Sequence, residues 1–132
     1  MGRKKDLEVR MLVMHRLDDP RSSYGLVDAN GKVEKNIDNK VASFLTAVYD
    51  MGVKPAVSRY SRERGELNGK PIMDFIFSVM NPVNPRNNNL LSYISGLQGQ
   101  ELIIARKQII RIGVAMKYIL RTYPERNAEG RN

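Results

Sequence analysis

The stretch ELIIARKQIIRIGVAMKYILR, residues 101–121, decides how the rest of the chain is read. Leu102, Ala105, Ile109, Ile112, Met116 and Ile119 recur at alternating spacings of three and four residues. That is the repeat of an apolar helical seam. On another face Lys107, Arg111, Val114, Tyr118 and Arg121 recur with the same alternation, giving a cationic stripe with an aromatic ring set into it. Periodicity alone makes this an ordinary core helix with a solvated basic face. What lies around it determines whether the stripe does more.

Working outward toward the amino terminus, residues 90–97 read as a short helix capped by Asn89, since an asparagine side chain can accept a hydrogen bond from an otherwise unpaired N–H of the first turn. Residues 81–89 (NPVNPRNNN) contain two Asn-Pro pairs and three consecutive asparagines, a loop composition. Residues 72–80 (IMDFIFSVM) are apolar nearly all round and are predicted as a buried helix, a buried strand being the alternative for so short a run. A helix over 39–51, with Asn39 as cap and Val41, Phe44, Leu45 and Val48 inward, ends at Gly52. Lys54-Pro55 reopens a helix in which Ala56, Val57 and Tyr60 face inward and Arg59, Arg62 and Arg64 outward, closed by Gly65.

Residues 3–17 form a first helix, terminated at Asp18-Asp19-Pro20 because proline disfavours helical geometry in the residue before it. Between it and residue 39 the pattern changes. Asp28-Ala29-Asn30-Gly31 is a turn signal between two short runs, so residues 24–35 are expected to form a long loop or a short β-hairpin. After Tyr123-Pro124 the chain is polar, and residues 124–132 are expected to fray. The expected fold is therefore all-α: one domain over residues 1–132, a compact bundle of about five to six helices.

Composition narrows the functions. The chain has 132 residues with 22 Lys+Arg against 14 Asp+Glu, a formal net charge of +8, which favours a polyanionic partner. There is no cysteine and one histidine, which removes disulfides, thiolate metal sites and Cys-His nucleophiles. His15 has no partner motif, Asp18-Asp19 reads as a helix terminator, and no glycine pattern forms a nucleotide cradle. The reading is of a non-enzyme with no catalytic residue, metal, cofactor or small-molecule substrate. No apolar run suits a signal peptide or a membrane span, so a cytoplasmic setting is expected.

Two basic clusters stand out. Arg59, Arg62 and Arg64 lie within two helical turns with Tyr60 among them, and Lys107, Arg111 and Arg121 flank Tyr118. Guanidinium groups suit phosphates, and an interleaved tyrosine can stack on an exposed base. Each cluster is equally readable as a solvated face, and the net charge tips the balance toward phosphate-backbone binding.

The run KVASFLTAVYDMGV (40–53), followed by AVSRYSRERG (56–65), resembles the small subunit of type III CRISPR effector complexes of the Cmr type. In that family a helix with an apolar face ends at a glycine-hydrophobic pair, and the next helix ends in a short basic turn with glycine. Residues 102–121 look like the family's final helix, in which a basic residue opens an aliphatic seam and a lysine-aromatic-aliphatic ending closes it. Tyr118 stands where a tryptophan is common, and residues 18–38 form a longer, turn-rich insert. The resemblance implies a non-catalytic subunit that stacks with copies of itself and with larger subunits along a ribonucleoprotein filament. It would touch the guide and target RNA backbone through Arg59, Arg62, Arg64, Lys107, Arg111 and Arg121. A free-standing basic helical DNA- or RNA-binding protein, of phage or plasmid type, is the alternative.

Overall fold

The structure, a computed structural model, describes residues 2–62, 68–80 and 88–126. Among them are six helices and no strand: α1 (Gly2–Asp18), α2 (Ile37–Met51), α3 (Val53–Tyr60), α4 (Lys70–Met80), α5 (Leu90–Ser95) and α6 (Gly99–Leu120). The fold is all-α, a bundle with α6 at its centre. Helix α6 packs against α1, α2 and α4, while α3 packs against α2, α4 and α5.

The seam of α6 is the core. Ala105, Ile109, Ile112, Met116 and Ile119 are buried and Leu102 is half-buried. Gly113 lies in the same face, where a Cβ would stand 2.7 Å from Leu45 Cδ2, so its missing side chain lets α2 and α6 approach closely. Phe44 and Phe75 are fully buried in the same cluster.

Gly52, at φ 94° and ψ 162°, separates α2 from α3 by a single residue and donates its N–H to the Val48 carbonyl at 3.0 Å. Other residues adopt that backbone only under strain. Val53, Ala56, Val57 and Tyr60 then turn inward, and the Tyr60 ring meets Phe44 edge-on at 5.3 Å between centroids. Residues 70–80 are helical and not a strand. Ile72, Met73, Phe75, Ile76 and Val79 are buried along one face of that helix. Asn89 caps α5 as expected, its Oδ1 accepting from the Ser92 N–H at 2.8 Å.

Two details differ from expectation, and a third decides between alternatives. Helix α2 begins at Ile37, so Asn39 sits inside its first turn and Asn36, at φ 60°, takes the cap position. Ile37 is buried, and the Asn36 N–H bonds Glu125 Oε2 at 3.0 Å, so packing and the carboxyl-terminal segment together set the start. Of the long loop or short hairpin expected over 24–35, the structure has the loop, with one antiparallel bridge, Val27 to Val33, around a turn in which Asp28 Oδ1 accepts from the N–H groups of Asn30 and Lys32 at 2.8 and 3.0 Å. Val33 also bridges Glu125 in parallel: its N–H reaches the Pro124 carbonyl at 2.9 Å, and its carbonyl accepts from the Arg126 N–H at 2.6 Å. Residues 124–126, expected to fray, are thus held by backbone bonds. Residues 127–132 of that expected tail lie outside the described residues, as do Gly65 and most of the 81–89 loop.

Helix α1 seats itself through Val13 and Leu17, which are fully buried, whereas Leu7, Met11, Leu12 and Met14 are 40–54% exposed. It is an edge helix, held along one narrow line. No helix among the described residues is long and apolar enough to cross a membrane.

A candidate nucleic-acid interface

Where α1 lies beside α6 the surface opens into a groove of about 430 Å³, closed on its third side by the end of α2. Helix α6 supplies most of its floor, because Arg106, Ile110, Val114 and Tyr118 follow one another at intervals of four, with Lys107 and Arg111 beside them. Helix α1 contributes Asp6 and Arg10, one turn apart, and α2 contributes Tyr49. The seam fixes this arrangement. Burying Ile109, Ile112 and Met116 turns the adjacent row of α6 outward into the angle between α1 and α2.

Four cations face one carboxylate here. Arg111 Nε donates to Asp6 Oδ1 at 2.7 Å, but Asp6 is more than half exposed, so the pair is open to water and to competing anions. Among the described residues Arg10 and Lys107 have no acidic partner. The guanidinium of Arg106 lies over the Tyr49 ring, 5.2 Å from its centroid. Tyr118 carries Lys117 at 4.9 Å and Arg121 at 5.3 Å, and neither of those cations lines the groove. Both rings are open to solvent, Tyr49 at 63% and Tyr118 at 52% exposure.

The six residues singled out from the sequence fall into two places. Lys107 and Arg111 line the groove. Arg121 caps the end of α6 against Tyr118 and is tied to Asp38 Oδ2 at 3.3 Å. Arg59 is exposed near the end of α3, and Arg62 is exposed two residues beyond it, because the helix expected to carry both ends at Tyr60; neither lines the groove. Arg64 lies outside the described residues. Tyr60 is core, so the idea that it stacks on a base beside the arginines of α3 is corrected: Phe44 already holds its ring.

The sequence reading missed Arg10, Arg106 and Tyr49. Tyr49 had a signal, since it falls off the apolar face that places Phe44, Leu45 and Val48 inward. Arg10 had none, because its position depends on how α1 docks. Among the described residues no three His, Asp or Glu side chains gather as metal ligands.

Fold and groove together define a small all-helical protein with a basic, tyrosine-bearing cleft. No family model matches the chain, and no curated protein or solved structure does so either.

Proposed function

We propose that this chain is a non-catalytic, RNA-backbone-contacting subunit of a ribonucleoprotein effector of the type III CRISPR kind. The observation that carries the proposal is the groove, where Lys107 and Arg111 of α6 meet Arg106 and, from α1, Arg10. Cations converging in a concave surface raise the local potential more than the same charges spread over a convex one, and they suit a run of phosphates. The resemblance of residues 40–65 to the family's glycine-hydrophobic junction is supported by Gly52, which ends α2 in a glycine conformation and hands over to the buried Val53. In this reading the partners are guide and target RNA, larger subunits and further copies of the chain in the cytoplasm, and Arg59, Arg62 and Arg64 form a second contact to the RNA.

One observation favours a free-standing nucleic-acid binder instead: the groove is assembled within a single chain, with Tyr49, Arg10 and Lys107 already in place. Purification of the tagged protein from its native host separates the two. Recovery of a guide RNA with a fixed set of larger subunits supports the effector reading. Recovery of the protein alone, with tight and steeply salt-dependent binding of nucleic acid by the isolated chain, supports the other. No affinity for nucleic acid in either form removes both.

A further inference from the structure

We infer that the groove between α1, α2 and α6 selects unpaired over paired strands, by stacking bases on Tyr49 and Tyr118 while Arg10, Arg106 and Lys107 hold the phosphates. The inference rests on the reading of the groove as a nucleic-acid site and adds the class of strand that enters it. A phosphate cradle alone has no use for exposed rings, and a duplex hides its base faces inside the stack. Here two tyrosines, 63% and 52% exposed, share one groove with four cations. Both rings keep apolar area in water beside the cations that lean on them, and a flat partner would bury it.

The rings are also held for the purpose. Arg106 lies over Tyr49 at 5.2 Å inside the groove, so it covers one face of the ring and a base stacks on the other face or on the outer side of the guanidinium. Lys117 and Arg121 lean on Tyr118 from outside the lining, so they steady the ring without entering the groove. Fixing a side chain before binding lowers the conformational cost of the stack. Each ring of such a platform contributes roughly tenfold or more in affinity, with little preference among bases because every base has a π face.

The test uses the full chain, a short oligouridylate and a blunt RNA duplex of the same length, read by anisotropy at low salt so that weak complexes are populated. The chain contains no tryptophan, so tyrosine emission can be followed directly during the titration. The expected result is that the single strand binds at least about tenfold more tightly than the duplex and quenches tyrosine emission. Y49A/Y118A should lose that preference while keeping its salt dependence, and Y49F/Y118F should keep both the preference and the salt dependence; the quenching is lost in either variant because the emitting rings are gone. Thermal melts confirm that these surface variants fold.

Equal affinity for strand and duplex, or a preference that survives Y49A/Y118A, overturns the stacking inference. If R10A/K107A still weakens binding in that case, the groove remains a phosphate cradle and the functional reading stands. If R10A/K107A changes nothing, the functional reading fails as well. Displacement of the RNA by polyglutamate of matched charge, with no difference between wild type and Y49A/Y118A, would instead make the groove a site for acidic peptide.

Discussion

The two basic clusters of this chain look alike as sequence and differ as surfaces. Arg59 lies near the end of a two-turn helix and Arg62 just beyond it, both exposed and outside the groove, and the tyrosine between them is committed to Phe44. Lys107 and Arg111 lie on the floor of a groove walled by two other helices, with two tyrosine rings in solvent. Charge density along a helix is a local property. Concavity and ring exposure come from packing, and they turn a solvated face into a site of definite shape.

The largest effect expected is from breaking the groove. R10A/R106A/K107A removes three cations that form no ion pair among the described residues, so the protein should lose affinity for single-stranded RNA by about tenfold or more. The slope of log affinity against log salt should fall by about two, at roughly 0.7 per phosphate contact on a single strand. R59A/R62A should cost less, about threefold, because two exposed arginines outside the groove contribute mainly to the general field. Anisotropy titrations over a range of salt decide the order. If R59A/R62A proved the more damaging pair, the α3 end would be the principal surface and the groove secondary.

A smaller effect, of opposite sign, is expected at Asp6. Among the described residues its carboxylate is the one acid lining the groove, and it accepts from Arg111 at 2.7 Å. An exposed pair of this kind is worth about 0.2–1 kcal/mol. D6N should therefore leave the melting temperature almost unchanged, tighten RNA binding about two- to fivefold and steepen the salt dependence. Weaker binding by D6N would give Asp6 a different role, holding Arg111 in place for phosphate.

How far the sequence discloses this molecule depends on whether a feature is local. The α6 seam, the glycine break at Gly52 and the Asn89 cap are each specified within a few residues, and all are present. The start of α2 was misplaced because it depends on Glu125, which lies 89 residues from Asn36. Between the long loop and the short hairpin left open for residues 24–35, the choice also depends on distant residues: Val33 gives both its N–H and its carbonyl to the carboxyl-terminal segment. In the groove, Lys107, Arg111 and Tyr118 were legible as a stripe of one helix. Arg10 and Tyr49 enter only when α1 and α2 dock on it.

The smallest effect on binding is expected from the clasp that joins the 18–38 insert to residues 123–126, although it carries its own pH signature. The Tyr123 hydroxyl donates to the Asp18 carboxylate, and Arg126 Nε donates to Asp28 Oδ2 at 3.1 Å. Burial and then the Asp18 hydrogen bond and charge hold the Tyr123 hydroxyl well above the ordinary tyrosine range. An unfolded chain ionises this tyrosine near about pH 10 while the folded one keeps it neutral, so its contribution is whole below that pH and is lost as pH rises further. Asp28 works at the other end. The Lys32 N–H, and with it the Asn30 N–H and Arg126, holds its carboxyl below the usual range. Its contribution is present above about pH 4 and is lost as pH falls through the lowered value. Urea denaturation across pH should show wild-type stability declining at both limits. Y123F should cost about 1 kcal/mol at neutral pH and flatten the alkaline limb, and D28N should flatten the acid limb. Both should bind RNA within about twofold of wild type, since Tyr123 and Asp28 lie outside the groove. A larger loss in Y123F would mean that the clasp, through Arg121 against Tyr118, helps to set the groove, and that the two parts of the molecule are energetically coupled.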